Sequence, residues 1–86
     1  MRKVIFENNS MEDILYWSKQ DLKLVKKIFQ LLDNTLQTPF TGLGQPEHLK
    51  NRPDVWSRRI NHEHRLVYKV TNDAIIVLAC RFHYDD

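Results

Sequence analysis

The chain has 86 residues and a formal net charge of +2, and 42% of its residues are hydrophobic and 28% charged. These totals exclude a disordered or low-complexity protein and predict one domain over residues 1–86, which buries only about 60% of its unfolded surface. The longest apolar run, Ala74 to Cys80, is far shorter than the ~20 residues that cross a bilayer. Because no signal-peptide hydrophobic region begins the chain, the protein is expected in the cytoplasm.

Positive charge is concentrated in the third quarter of the chain. From Lys50 to Lys69 there are six basic and two acidic residues, a local charge of 6 − 2 = +4. Such a patch in a nearly neutral protein favours a specific anionic ligand, and a solvated basic strand face is the alternative. The single cysteine, Cys80, cannot form an intramolecular disulfide and is expected to be a small buried apolar residue.

The N-terminal half predicts one strand and two helices. Arg2–Glu7 is short and β-rich, and Asn9 with Glu12 is typical of a capping box that begins the first helix. Asp21 is the expected N-cap of a longer second helix, whose apolar residues recur at helical spacing. Four lysines of the two helices could contact phosphate, although a solvated helix face also explains them: Lys19, Lys23, Lys26 and Lys27.

A loop and several strands follow the helices. Residues Thr38 to His48 contain two Gly and two Pro, which predicts a loop. The strand segments predicted after it are His48–Lys50, Val55–Ile60, Arg65–Val70 and Ile75–Phe82. The order β, α, α and then three or four strands predicts a small α+β domain with two helices on one face of an antiparallel sheet.

Alternation along the last two strands predicts one apolar face and one mixed face that is cationic near its end. The even positions are almost all apolar: Leu66, Tyr68, Val70, Ile76, Leu78, Cys80 and Phe82. If these positions share one face, residues directly opposite each other on the two strands are both even or both odd, so the loop has an odd number of residues. We therefore expect a three-residue loop, Asn72–Ala74, which places Arg65 opposite Arg81. Further pairing would bring Glu63 near His83.

A loop carboxylate, several cations and a His–Tyr pair together suit metal-free RNA cleavage. A base removes the 2′-hydroxyl proton, a cation stabilises the phosphorane and an acid protonates the departing 5′-oxygen; Glu and His suit the proton transfers and Arg the phosphate. The residues of this set are Glu47, Lys50, Arg59, Arg65, Arg81, His83 and Tyr84. From spacing alone, Glu47 could also be a solvated carboxylate and His83 an exposed terminal side chain. His62 and His64 could share a strand face, but no third ligand is fixed, so neither a metal nor another cofactor is expected.

Seven segments are distributed over essentially the whole chain: LYW (Leu15–Trp17), VKKI (Val25–Ile28), TPF (Thr38–Phe40), PEHLK (Pro46–Lys50), WSRRI (Trp56–Ile60), EHRLVY (Glu63–Tyr68) and ACRFHY (Ala79–Tyr84). In sequence and spacing they closely resemble the YoeB/Txe toxins of the RelE superfamily. The resemblance implies a ribosome-dependent mRNA endonuclease, the toxin of a bacterial type II toxin–antitoxin module neutralised by a YefM/Phd-type antitoxin. It also implies a homodimer.

Residue roles follow from the same resemblance. It implies that Glu47 is the general base, His83 the general acid and Arg65 the phosphate stabiliser, while Tyr84 orients or stacks the scissile nucleotide. The matching surroundings of the site are Lys50, Arg59 and Glu63, of which the two cations would hold RNA phosphate. Such toxins commonly end at the Tyr, whereas this chain continues with Asp85 and Asp86, which are expected to extend into water.

Two other functions stay open on the same scaffold. One is a ParE-like inhibitor that acts on DNA gyrase without cutting nucleic acid, although the set Glu47, Arg65, His83 and Tyr84 argues against it. The other is an inactivated toxin that serves only to bind its antitoxin. Under each of these hypotheses, the antitoxin is expected to cover the cationic face with an acidic, partly disordered segment.

Overall fold

A computed structural model describes residues 1–82 of the chain. Its elements are β1 (Lys3–Phe6), α1 (Asn8–Gln20), α2 (Leu22–Gln37), β2 (Glu47–His48), β3 (Val55–Arg59), β4 (Arg65–Val70) and β5 (Ala74–Ala79). The predicted α+β class and element order are confirmed, with four strands after the helices. Within residues 1–82, no helix has the length and apolar character needed to cross a membrane. The predictions for His83, Tyr84, Asp85 and Asp86 lie outside the described residues.

The five strands form one sheet in the order β1-β5-β4-β3-β2. The pairs β2–β3, β3–β4 and β4–β5 are antiparallel as predicted, whereas β1 runs parallel to β5, with Val4 beside Ile75. The sheet is therefore mixed. This follows from the topology, because the two helices carry the chain from β1 to the opposite edge and the antiparallel strands return it to β1.

The beginnings of the two helices differ in how well they were predicted. Asp21 caps α2 as expected, since its Oδ1 accepts the N–H of Lys23 at 3.1 Å. The predicted Asn9 cap of α1 is wrong: the helix already begins at Asn8, after Glu7, which makes no side-chain cap bond. Glu7 continues the pairing of β1 by donating its N–H to Val77 O at 3.0 Å, so the helix begins directly after it.

The main core lies between the helices and one face of the sheet. Its buried residues are Trp17, Ile28, Leu31, Leu32, Ile60, Leu66, Tyr68, Val70, Ile75, Val77 and Cys80. A smaller cluster of Leu49, Val55, Val67 and Ala79 lies separately, with Leu78 packed against it. In β4 the even positions enter the main core as predicted, but in β5 the odd positions Ile75 and Val77 do so. The expectation that Ile76 and Leu78 share that core is therefore wrong.

The register of the last hairpin explains this difference. Val70 pairs with Ile75 and Tyr68 with Val77, which leaves four residues between the first pair and contradicts the predicted three-residue loop. The register then shifts between Val67 and Tyr68. Such a bulge lets one strand change faces relative to its neighbour. The N–H of Arg65 donates to Phe82 O at 3.0 Å, one residue beyond the predicted partner Arg81.

Candidate active site

Glu47 and Arg65 approach each other from two strands that flank β3. Glu47 pairs with Ser57, and Ser57 pairs in turn with Val67, two residues beyond Arg65. The Nη2 atom of Arg65 lies 4.0 Å from Oε1 of Glu47, and its Nη1 donates to Ser57 Oγ at 3.2 Å. The side chain of Arg65 is only 8% exposed, whereas that of Glu47 is 62% exposed. The pairing of the three strands thus brings together two residues that are distant in sequence.

This arrangement places an accessible carboxylate above a buried cation. A guanidinium has five N–H donors in a planar fork that matches two phosphate oxygens, so Arg65 can bind a phosphate beside Glu47. Coulomb interactions are stronger in a partly buried site than in water. A carboxylate next to a bound phosphodiester is placed to accept a proton from a neighbouring hydroxyl.

Ser57 is a site residue that sequence reasoning missed. Its side chain is 1% exposed, and its hydroxyl is the acceptor that orients the guanidinium of Arg65. Both residues lie at odd positions of adjacent antiparallel strands, where Ser57 is opposite Val67. Strand parity was the one sequence signal that could have placed Ser57 on the same face as Arg65.

Arg59 extends the positive charge along the edge of this site. Its Cα pairs with that of Arg65, its side chain is exposed, and its N–H donates to Gly44 O at 2.7 Å. An open cleft of about 520 Å³ begins here, lined also by Lys27 and His62. The strand pairing therefore brings Arg59 beside Arg65.

Two further predicted residues lie in exposed turns. Lys50 follows β2 and is exposed. Glu63 is exposed in the connection between β3 and β4, where its N–H donates to Asn61 Oδ1 at 2.9 Å. Their positions border the strands that carry Glu47 and Arg65.

The side chain of Arg81 packs on α1. Its guanidinium carbon lies 3.5 Å from the ring centroid of Tyr16 and 4.5 Å from that of Phe82. A guanidinium over an aromatic face is stabilised by the ring quadrupole. Arg81 is half-buried, so its contact with Tyr16 attaches the segment after β5 to the first helix.

The residue before it, Cys80, is held by the same helix. Its N–H donates to Asp13 Oδ2 at 2.9 Å, and Trp17 Nε1 donates to its carbonyl at 2.8 Å. Burial is the main cause, and the carboxylate of Asp13 a smaller one, that together raise the pKa of the Cys80 thiol to about 12. Cys80 is thus buried, as the sequence predicted, and a buried thiol with a raised pKa is unreactive.

His64 fixes the chain just before the predicted acid. Its Nδ1 accepts the N–H of Phe82 at 2.8 Å, and its ring centroid lies 4.7 Å from that of Trp17. Phe82 adopts a positive φ of 70°. In the described part of the chain, no group of three or more His, Cys, Asp or Glu residues could hold a metal ion. His83 and Tyr84 follow this anchored segment and lie outside the described residues.

Comparison with known proteins identifies the family to which this chain belongs. A family model for the YoeB-like toxin of bacterial type II toxin–antitoxin systems matches residues 6–84. Toxin YoeB of Escherichia coli K12 is 52% identical over 83 residues, which cover 95% of this chain and 99% of that protein. The chain therefore belongs to the YoeB-like toxin family.

Solved structures of similar proteins have the same architecture. The YoeB dimer from Staphylococcus aureus is 41% identical and superposes with a TM-score of 0.91, covering 96% of this chain and 98% of the other. A YoeB–YefM complex from the same organism is also 41% identical, with a TM-score of 0.86 and coverages of 98% and 99%. The RelE-like arrangement of two helices on a five-stranded sheet is thus shared with these toxins.

Proposed function

We propose that this protein is a ribosome-dependent endoribonuclease that cleaves mRNA in the ribosomal A site and thereby inhibits translation. The observation that carries the proposal is the exposed carboxylate of Glu47, 4.0 Å from the buried guanidinium of Arg65. Attack of a 2′-hydroxyl on the adjacent phosphate needs such a base beside a phosphate-binding cation, and it needs no metal. Membership of the toxin family supports the same activity.

The reaction proceeds by proton transfer and in-line attack. Glu47 accepts the 2′-hydroxyl proton as the 2′-oxygen forms its bond to phosphorus, and Arg65 stabilises the extra negative charge of the phosphorane. The bond from phosphorus to the 5′-oxygen then breaks, with His83 donating the proton that the leaving oxygen needs. Tyr84 stacks on or orients the scissile nucleotide. These four residues form the proposed catalytic set.

Charged residues around this set bind the RNA and the ribosome. Lys50 and Arg59 contact phosphates, and Glu63 orients its cationic neighbours. Arg81 contributes positive charge from its position on Tyr16. Contacts of this kind set affinity in a manner that depends on salt concentration.

We further propose that the protein acts as the toxin of a cytoplasmic toxin–antitoxin module, within one domain that spans residues 1–86. A YefM/Phd-type antitoxin covers the face of Arg65 with an acidic segment, consistent with the S. aureus relative described in complex with YefM. A homodimer is proposed by analogy with the S. aureus YoeB dimer.

Ribosome dependence is tested by incubating purified protein with a defined mRNA, with and without programmed ribosomes, and mapping cuts by primer extension. Cuts confined to the A-site codon and to the samples with ribosomes are expected. Equal cutting of free mRNA would contradict ribosome dependence. Absence of any cutting, together with an early arrest of DNA replication on expression, would instead favour the ParE-like inhibitor.

A further inference from the structure

Arg58 is a completely buried cation that the proposed reaction does not use. It is 0% exposed in the middle of β3, next to Ser57. Its side chain enters the main core side of the sheet, where the guanidinium carbon lies 5.7 Å from the ring centroid of Tyr68. A buried charge is costly unless surrounding groups satisfy it.

Five neutral oxygens accept hydrogen bonds from this guanidinium. They are Tyr68 Oη at 3.0 Å from Nε, Asn34 Oδ1 at 2.7 Å and Leu43 O at 3.1 Å from Nη1, and Thr38 O at 2.6 Å and Thr41 O at 3.0 Å from Nη2. Three of the five are backbone carbonyls of the segment that follows α2. The loop therefore folds around Arg58. The guanidinium donates to loop carbonyls that would otherwise lack a partner, and these carbonyls satisfy the buried charge.

A second layer of hydrogen bonds holds the same loop. Asn34 Oδ1 also accepts the N–H of Leu43 at 3.0 Å, and the hydroxyl of Tyr68 donates to Pro39 O at 2.9 Å. Gly44 O then accepts the N–H of Arg59 at 2.7 Å, which ties the end of the loop to β3. Glu47 begins β2 three residues later. The path of the loop thus sets where the carboxylate of Glu47 enters the sheet.

Neighbouring residues of β3 therefore hold the two halves of the candidate site. Ser57 orients Arg65 on one face of the sheet, and Arg58 binds the loop that leads to Glu47 on the other. We propose that Arg58 is a positioning residue, which fixes the distance between Glu47 and Arg65 by holding the loop from Thr38 to Gly44. This inference rests on the proposed function, because it assigns Arg58 an effect on the base of that reaction.

Asn34→Ala tests the proposal without removing the buried charge. It deletes one of five acceptors of Arg58 and the acceptor of Leu43 N–H, while the other four contacts keep the fold. The matched control is Asp33→Ala, the exposed neighbour on the same helix, whose carboxylate contacts Gln37. Amide exchange at Leu43, and at Arg59, whose N–H donates to Gly44 O, is expected to be about tenfold faster in Asn34→Ala only.

Cleavage is then measured in single turnovers with ribosomes in excess. The rate constant of Asn34→Ala is expected to fall about 10- to 100-fold, with an unchanged half-saturating ribosome concentration, because a small displacement of a catalytic group slows chemistry without weakening binding. Arg58→Lys is the second variant: it keeps the charge but loses the planar fork, so a similar loss is expected.

The outcomes separate this proposal from the proposed function. If the wild type cleaves and Glu47→Gln does not, the proposed function stands. Wild-type cleavage by Asn34→Ala, or slower cleavage without faster exchange in the loop, then overturns the role of Arg58. If Arg58→Lys fails to fold, Asn34→Ala alone decides. If the wild type itself does not cleave on ribosomes, the proposed function is contradicted, and the role assigned to Arg58 in that reaction is contradicted with it.

Discussion

Nη2 of Arg65 and Oε1 of Glu47 are 4.0 Å apart, with the guanidinium buried and the carboxylate largely exposed. A separation at the limit of an ion pair gives little stability. In the proposed reaction, phosphate oxygens bind the guanidinium and the carboxylate faces the sugar. We therefore assign this pair to substrate binding rather than to stabilisation of the fold.

Arg65→Lys is expected to reduce cleavage about 100- to 1000-fold, which is the usual cost of removing a donor that stabilises a transition state. Lysine keeps the charge but cannot contact Ser57 and two phosphate oxygens with one planar group. The measurement is the single-turnover rate constant on ribosomes. Arg52→Lys, in the exposed turn after β2, is the control and should cleave at the wild-type rate. A rate for Arg65→Lys within twofold of wild type would exclude the proposed role.

Cys80 is expected to make the protein less stable at high pH. Its folded-state pKa is raised to about 12 by burial, whereas the unfolded thiol ionises near pH 8.5–9. The stability contribution is complete below about pH 9 and is lost as the pH rises toward 12, because only the unfolded state releases the proton. The free energy of unfolding should fall by about 2 kcal/mol from this group between about pH 9 and 10.5.

Urea unfolding of the wild type and of Cys80→Ala across this pH range measures that contribution. The difference in free energy between the two proteins should shrink as the pH rises, because alanine has no proton to lose. A difference that stays constant from pH 7 to 10.5 would show that the thiol ionises equally in both states.

Asp13→Ala is expected to destabilise the fold by about 1–3 kcal/mol, since it leaves the buried N–H of Cys80 without its acceptor. Glu12→Ala, the exposed neighbour on α1, is the matched control and should change stability by less than about 0.5 kcal/mol. Urea unfolding at neutral pH gives both values. Equal effects of the two substitutions would contradict the anchoring of Cys80 by α1.

Much of the fold was predictable because local patterns agreed with it. The Asp21 cap and the Arg65–Val70 strand were both predicted with the observed residues. The register of β5 was not predictable, since its sequence AIIVLA is apolar on both faces and parity cannot choose between them. The Asn9 cap failed because strand pairing at Glu7, a long-range contact, determined where α1 begins.

The candidate site was also predictable from the sequence only in part. Glu47 and Arg65 were predicted by resemblance and are brought together by pairing across three strands. The buried positions of Ser57 and Arg58 were not predicted, because arginine is rarely fully buried and neither residue forms a local motif. Parity could have placed Ser57 on the face of Arg65, but only the tertiary contacts show what each of the two residues binds.

Glu47 is the proposed base of a metal-free RNA cleavage, and the substitution Glu47→Gln tests this role. Glutamine has the same shape as glutamate, so this exposed position should tolerate it without loss of stability. Its amide cannot accept the 2′-hydroxyl proton. In single-turnover primer extension on programmed ribosomes, the folded variant is expected to cleave at least about 100-fold more slowly than the wild type. Cleavage by Glu47→Gln at the wild-type rate, in the presence of a chelator, would contradict the account.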